Sequence, residues 1–194
     1  MNAEWSNREA GFGFVVVGTT AVTLYVLAET VLGDTAYYDA KALGDYATVA
    51  IVTSILVLNG IALLLLWRDP PVTRGAVFLL LAGIGAIAEG VGNLLEDVLG
   101  IEDAVWAFFG GGMLYMVSLL IAGVAALTVD SPNRWSGLFL LLGVPSAMLG
   151  FGWVIAGVSW VLFGSWILTR NRHLVIAVAM AAVPLTALGI YVNL

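Results

Sequence analysis

The chain of 194 residues is 61% hydrophobic and only 10% charged, and its seven bases and thirteen acids give a formal net charge of −6. A water-soluble domain of this size carries about a quarter charged residues, so this chain cannot cover a surface that faces water. The composition excludes a soluble globular protein, a disordered chain and a nucleic-acid-binding protein, because so few bases cannot neutralise phosphates. The acidic balance with a single lysine is similar to that of halophile proteins.

Six long apolar runs follow one another along the chain. They cover residues 11–32, 47–67, 75–95, 104–129, 136–168 and 174–192. A membrane-spanning helix needs roughly 20 apolar residues, because about 30 Å of hydrocarbon is crossed at about 1.5 Å per residue. No connector between the runs is long enough to fold by itself. The sequence therefore predicts an all-α, polytopic transmembrane bundle over residues 1–194, with no soluble domain.

The connectors alternate in charge, and this alternation predicts the orientation in the membrane. Bases precede the first run and follow the second, fourth and fifth runs, at Arg8, Arg68, Arg74, Arg134, Arg170 and Arg172. The other two connectors are acidic: residues 33–46 carry three aspartates against one lysine, and residues 96–103 carry four acids and no base. Cytoplasmic loops collect lysine and arginine. We therefore expect a multi-pass protein of the cell membrane with a cytoplasmic N-terminus.

The run over residues 136–168 decides the number of helices. Both of its ends lie next to arginines, so under this orientation it crosses the membrane an even number of times. As one helix it would be about 50 Å long, which exceeds the thickness of a bilayer. The glycines of Gly150-Phe151-Gly152 permit a tight turn between two short helices, which favours seven helices and an external C-terminus. The alternative is one long helix with a kink at Pro145, which gives six.

The residue types that carry most catalytic and cofactor chemistry are absent or lie in the connectors. The chain has no cysteine, and its single histidine, His173, and its single lysine, Lys41, both lie in polar connectors. Disulfides, thiolate metal sites, a haem held by two histidines and a retinal Schiff base within the membrane are therefore excluded. Ser159 has no histidine or lysine within the membrane that could activate it. We expect no enzymatic activity, no cofactor and no metal centre.

Two carboxyl groups lie within the apolar runs. Glu29 lies near the outer end of the first run, and Glu89 lies roughly 10 Å below the outer end of the third at about 1.5 Å per residue. Ionisable side chains at membrane depth are costly and indicate a functional site. A carboxyl group in a low-dielectric medium either binds a cation or holds a proton. We expect both glutamates to lie at similar height and to share one such site.

Polar neighbours extend this candidate site. Asn93 and Glu96 follow Glu89 at spacings of four and seven residues, so all three share one helical face. Tyr115 lies on a polar face of the fourth run, and we expect it to assist Glu89 together with Asn93. Glu96 and Asp97 would belong to an acidic, outward-facing vestibule that attracts cations through its field. The sequence thus favours a protein that transports or senses a small cation or a proton.

A structural interpretation of the same residues remains open. The glutamates would then reach the headgroups, or act as protonated hydrogen-bonding groups between helices. Asn59, in the middle of the second run, is expected to form an interhelical hydrogen bond rather than to line a pathway. The protein would be a structural or accessory subunit that forms homo-oligomers or packs on another membrane protein. It would use its glycine-rich faces and the alternating series Trp153, Gly157, Trp160 and Gly164.

Overall fold

The computed structural model describes residues 3–27, 43–68, 75–128, 134–143 and 152–169. These residues form six α-helices and one short 3-10 helix, and no strand occurs among them. The helices are α1 (Ala3–Leu27), α2 (Leu43–Arg68), α3 (Ala76–Asp97), α4 (Val105–Thr128), α5 (Arg134–Gly143) and α6 (Gly152–Thr169). The 3-10 helix, Glu102–Ala104, leads directly into α4.

In the described part of the chain, three helical segments are long and apolar enough to cross a membrane. They are Gly44–Arg68, Ala76–Asp97 and Glu102–Thr128, and a shorter apolar stretch covers Ile155–Leu168. Large apolar side chains such as Leu58, Val91 and Leu120 are exposed along the outside of α2, α3 and α4. Such a surface is costly in water and is expected in lipid. The described part of the chain is therefore all-helical and has the features of a membrane bundle.

The six helices form a closed ring in which each helix packs against the two that neighbour it. Consecutive helices pack against one another from α1 through to α6, and α6 returns to pack against α1. Side chains from every helix fill the interior of this ring. Among the largest buried side chains are Phe14, Leu63, Leu79, Tyr115, Leu140 and Phe163. The rings of Phe14 and Trp160 stack with their centroids 5.1 Å apart, and Phe163 packs against both.

Glycines at spacings of seven residues bring the helix backbones close together. Gly83 of α3 faces α2, where an added Cβ would lie 2.9 Å from the carbonyl oxygen of Gly60. Gly85 faces the other side, where an added Cβ would lie 2.8 Å from the carbonyl oxygen of Gly111 in α4. Gly90 and Gly92, one heptad further on, repeat these two contacts. Small residues allow such close packing where lipid removes the hydrophobic drive for helices to associate.

The face of α6 that would dock a partner under the accessory-subunit alternative is covered by α1 of the same chain. Gly157 and Gly164 pack against Gly18 and Gly11 of α1, which runs antiparallel and has the same spacing of seven residues. Trp160 lies in the interior and is 2% exposed. The side chain of Trp153 lies outside the described residues. A partner that packs on this bundle would therefore need a face other than the one formed by Gly157, Trp160 and Gly164.

The run over residues 136–168 is not one continuous helix. The Ser159 hydroxyl of α6 donates a hydrogen bond of 2.7 Å to the carbonyl oxygen of Phe139 in α5. In a single helix these residues would be about 30 Å apart, so α5 and α6 must lie side by side. Residues 144–151 and 170–194, which include the predicted turn and last helix, lie outside the described residues. The total of seven helices and the external C-terminus therefore stay predictions.

Candidate functional site

The two ends of the bundle differ in charge. Five acids lie at one end, which we call the acidic end. They are Asp45 at the beginning of α2, Glu96 and Asp97 at the end of α3, and Glu102 and Asp103 before α4. The opposite end carries charges of both signs: Arg68 at the last residue of α2, and Arg8 with Glu4 and Glu9 in the first part of α1. The predicted orientation, with the acidic end outside, is based on charges of this kind and stays a prediction.

A tight connection between α3 and α4 brings four of these acids together. The amide of Gly100 donates to the carbonyl of Glu96 at 3.1 Å, and the amide of Ile101 donates to the carbonyl of Leu95 at 3.0 Å. The bond from Gly100 to Glu96 is the 5→1 bond of an αL C-cap, whose left-handed conformation Gly100 adopts with a φ of +67°. The predicted vestibule residues Glu96 and Asp97 are half-buried there, whereas Glu102 and Asp103 are exposed.

One face of α3 points into the interior of the ring and carries the candidate site. Four buried residues follow one another on this face at spacings of four, three and four residues. They are Ala82, Ala86, Glu89 and Asn93. Glu89 is only 7% exposed. Its carboxyl group therefore faces the bundle interior, and it does not reach the headgroups from a lipid-facing position. The small side chains of the two alanines leave room for larger groups that come from α2 and α4.

Two interhelical hydrogen bonds flank Glu89. On the side of the acidic end, the Asn93 amide donates to the Thr53 hydroxyl of α2 at 3.2 Å. Toward the middle of the bundle, the Asn59 amide of α2 donates to the Tyr115 hydroxyl of α4 at 2.6 Å. Asn59 thus forms the interhelical bond predicted for it. Together these residues make a short polar stretch along the inner surfaces of α2, α3 and α4.

The carboxyl group of Glu89 lies directly against the backbone of α4. A Cβ added at Gly112 would be 3.2 Å from Oε1 and 3.6 Å from Oε2 of this carboxyl group. Glycine at this position therefore provides the space in which the carboxyl group sits. A side chain at Gly112 would have to share that space with Glu89.

Two buried oxygen atoms in this polar stretch have no hydrogen-bond partner among the described residues. They are Oε2 of Glu89 and Oδ1 of Asn59. Both atoms are acceptors, and a buried acceptor without a donor costs about 1–3 kcal/mol. A hydrogen-bond donor, a bound proton or a cation would satisfy such oxygens. The arrangement can therefore hold a positively charged ligand.

The polar stretch ends near the middle of the bundle. Beyond Asn59 and Tyr115, the buried side chains described in α2–α4 are apolar apart from the Ser118 hydroxyl. Leu63, Leu66 and Leu119 are each completely buried in this half. The stacked rings of Phe14 and Trp160 add an aromatic block from α1 and α6. Among the described residues of α2–α4, the interior is thus polar toward the acidic end and largely apolar toward the opposite end.

The structure brings together three of the residues that were predicted for the site, namely Glu89, Asn93 and Tyr115. Glu29, which was expected to share the site, lies outside the described residues. Sequence analysis missed Thr53 and Gly112, because neither is unusual in a membrane helix and only the pairing of helices shows their proximity to the site. No group of three or more His, Cys, Asp or Glu residues that could hold a metal ion occurs in the described part of the chain.

Comparison of the chain with protein-family models, with curated proteins and with solved structures finds no match in any of the three.

Proposed function

We propose that the protein binds a small cation or a proton at Glu89, from the acidic end, as a step in transport or sensing. The observation that carries the proposal is the buried carboxyl group on the inner face of α3, whose Oε2 atom has no hydrogen-bond partner among the described residues. Asn93 and Tyr115 assist by fixing the walls of the site. Glu96 and Asp97 attract the cation through their field and do not bind it tightly.

A purely structural role for Glu89 explains the contacts less well. The neighbouring polar groups already connect the helices, since Asn93 bonds to Thr53 and Asn59 bonds to Tyr115. Glycine contacts hold α3 against α4 without help from the carboxyl group. A carboxyl group that served only as an interhelical link would be expected to have its bonds completed by protein groups. The buried acceptor at Glu89 instead supports reversible binding of a ligand at this carboxyl group.

The charge distribution supports entry from the acidic end. The connection between α3 and α4 contains four acids and no base, and a surface of one sign raises the local concentration of ions of the opposite sign. The apolar half of the interior lies between the site and the opposite end. We therefore propose an occluded binding site whose ligand passes further only when the helices repack, and not a continuously open pore.

The direct test is thermal unfolding of the purified full-length protein in nanodiscs, measured in NaCl, KCl and across pH, with choline chloride to keep the ionic strength constant. Binding stabilises a protein by about 2.7 kcal/mol at a ligand concentration of one hundred times Kd. For a chain of this size that corresponds to a rise of about 5–11 °C in Tm. Glu89→Gln should abolish this rise, because the amide carries no charge and takes up no proton.

The matched control is Glu102→Gln, which makes the same chemical change at an exposed acid of the acidic end. It should weaken the response only at low ionic strength, because its contribution is through the field. If both substitutions reduced the ligand-induced rise in Tm equally, Glu89 would not be the binding residue. A wild-type Tm that is insensitive to cations and pH would favour the structural or accessory-subunit alternative. Flux measured in proteoliposomes then separates transport from sensing.

A further inference from the structure

We infer that Asn59 is a second ligand of the Glu89 site and that the two residues together select a ligand of single positive charge over a divalent cation. This inference rests on the proposed function and names its ligand class. It concerns the one buried amide on α2 whose oxygen has no hydrogen-bond partner among the described residues.

The amide of Asn59 is held in a fixed orientation. Its Nδ2 atom donates to the Tyr115 hydroxyl at 2.6 Å, and the side chain is 2% exposed. The amide is planar, so holding Nδ2 against α4 also fixes the direction in which Oδ1 points. An amide oxygen is a good ligand for a hard cation and a good acceptor from a protonated carboxyl group. The second hydrogen bond of Asn59 is thus available to a ligand.

Asn59 and Glu89 lie at nearly the same depth. The next residue along α2, Gly60, packs against Ile87 of α3, which places Asn59 within about one helical turn, roughly 5 Å, of the level of Glu89. The two helices are antiparallel, and side chains lean toward the N-terminus of their own helix. Asn59 therefore leans toward the acidic end and Glu89 leans away from it, so the two side chains converge in depth.

The charge of the site favours a monovalent ligand. Glu89 is the only buried residue with an ionisable side chain among the described residues, and the other buried polar residues are neutral. α4 contributes no charged residue between Val105 and Thr128, and on α2 the nearest acid is Asp45 in the first turn. A proton, Na⁺ or K⁺ would neutralise the single carboxylate. A divalent cation would leave one net positive charge buried in a low-dielectric interior, which is costly.

The test adds a second carboxylate at the site. The full-length protein is reconstituted in nanodiscs, and its Tm is measured in NaCl, KCl, MgCl2 and CaCl2 at one ionic strength, with a pH series in choline chloride alone. The wild type should respond to Na⁺, K⁺ or protons, and the separate arms identify which. It should show no response to Mg²⁺ or Ca²⁺ beyond that of choline. Asn59→Asp should gain stabilisation by Ca²⁺ or Mg²⁺, with an apparent Kd at least tenfold below the highest concentration at which the wild type shows no response.

A matched double variant shows whether the two residues act together. Asn59→Asp combined with Glu89→Gln restores a single carboxylate, so the gained response to divalent cations should disappear. A divalent response that persists in the double variant would overturn the inference, and so would a wild type that prefers Ca²⁺ or Mg²⁺ to monovalent ions.

The failures of the two proposals are distinguishable. If Glu89→Gln leaves the monovalent response intact, the proposed function is wrong. If Glu89→Gln abolishes that response but Asn59→Asp gains no divalent response, only the role of Asn59 is wrong. Should Asn59→Asp fail to fold, Asn59→Ala takes its place. An apparent Kd for the monovalent ligand at least tenfold weaker in that variant supports the inference, and an unchanged Kd overturns it.

Discussion

Three consecutive glycines in α4 occupy three different environments, and alanine substitution at each should give a different result. A Cβ added at Gly110 would meet no atom within 4 Å. At Gly111 it would lie 2.8 Å from the carbonyl oxygen of Gly85, in the close contact with α3. At Gly112 it would lie 3.2 Å from the Glu89 carboxyl group. The series changes the same single methyl group each time.

The expected magnitudes follow from these contacts. Gly110→Ala should raise the free energy of unfolding by about 0.5–1 kcal/mol, because alanine has the better helix propensity and nothing opposes it. Gly111→Ala should lower it by about 1–3 kcal/mol, because backbone atoms of α3 must move away. For a chain of this size these values correspond to about +1 to +4 °C and −2 to −12 °C in Tm.

Gly112→Ala should separate function from stability. The carboxyl group can give way by a few tenths of an ångström, so the gain in helix propensity and the crowding should nearly cancel in Tm. The displaced carboxyl group should bind its cation or proton more weakly, so the rise in Tm with ligand should shrink while the ligand-free Tm changes little. The assay is thermal unfolding of all three variants with and without ligand. Three similar Tm values, or a loss of ligand response at Gly110→Ala, would refute this account of α4.

Two further predictions concern the cap of α3 and the topology. Gly100→Ala should lower the free energy of unfolding by about 1–2 kcal/mol, because its left-handed backbone is strained for alanine. Gly44→Ala also adds a Cβ into open space, but it should not lower the free energy of unfolding. An equal decrease for both variants would show that backbone strain at Gly100 is not the cause. A reporter fused after Leu194 should be external, and a cytoplasmic reporter would reject the seven-helix count.

The extent of α2, α3 and α4 was predictable because the bilayer dictates it, whereas α1 begins at Ala3, eight residues before the predicted run 11–32. The run 104–129 matches α4, and the runs 47–67 and 75–95 match α2 and α3 to within four residues at each end. Charge in the flanks indicated that residues 136–168 turn back on themselves, and the hydrogen bond between Ser159 and Phe139 shows that α5 and α6 lie side by side. Both predictions depend on properties of one segment and its ends, which a sequence contains.

The partners of each residue were not predictable, because they depend on the register between helices. The spacing of Glu89 and Asn93 placed them on one face, but nothing in that spacing shows that Thr53 and Gly112 lie opposite them. The glycines of α6 were expected to pack against another helix, or against another protein under the accessory-subunit alternative, and the helix that they face is α1. A pattern of small residues predicts a close helix contact without showing which helix makes it.

The division of the interior into a polar and an apolar half constrains the mechanism of any transport. A cation that reaches Glu89 has the Asn59–Tyr115 pair beside it and buried side chains such as Leu63 and Leu119 beyond it. An ion among such side chains would have lost its hydration without gaining ligands, at a cost far above that of the polar half. Helix movement must therefore open the apolar half before an ion can pass, and a protein that only senses the ion needs no such movement. Under the proposed function, the binding of the ion depends on Glu89 in either mechanism. Enlarging the apolar half, for example by Leu119→Ala, should change a flux without changing the affinity of the site.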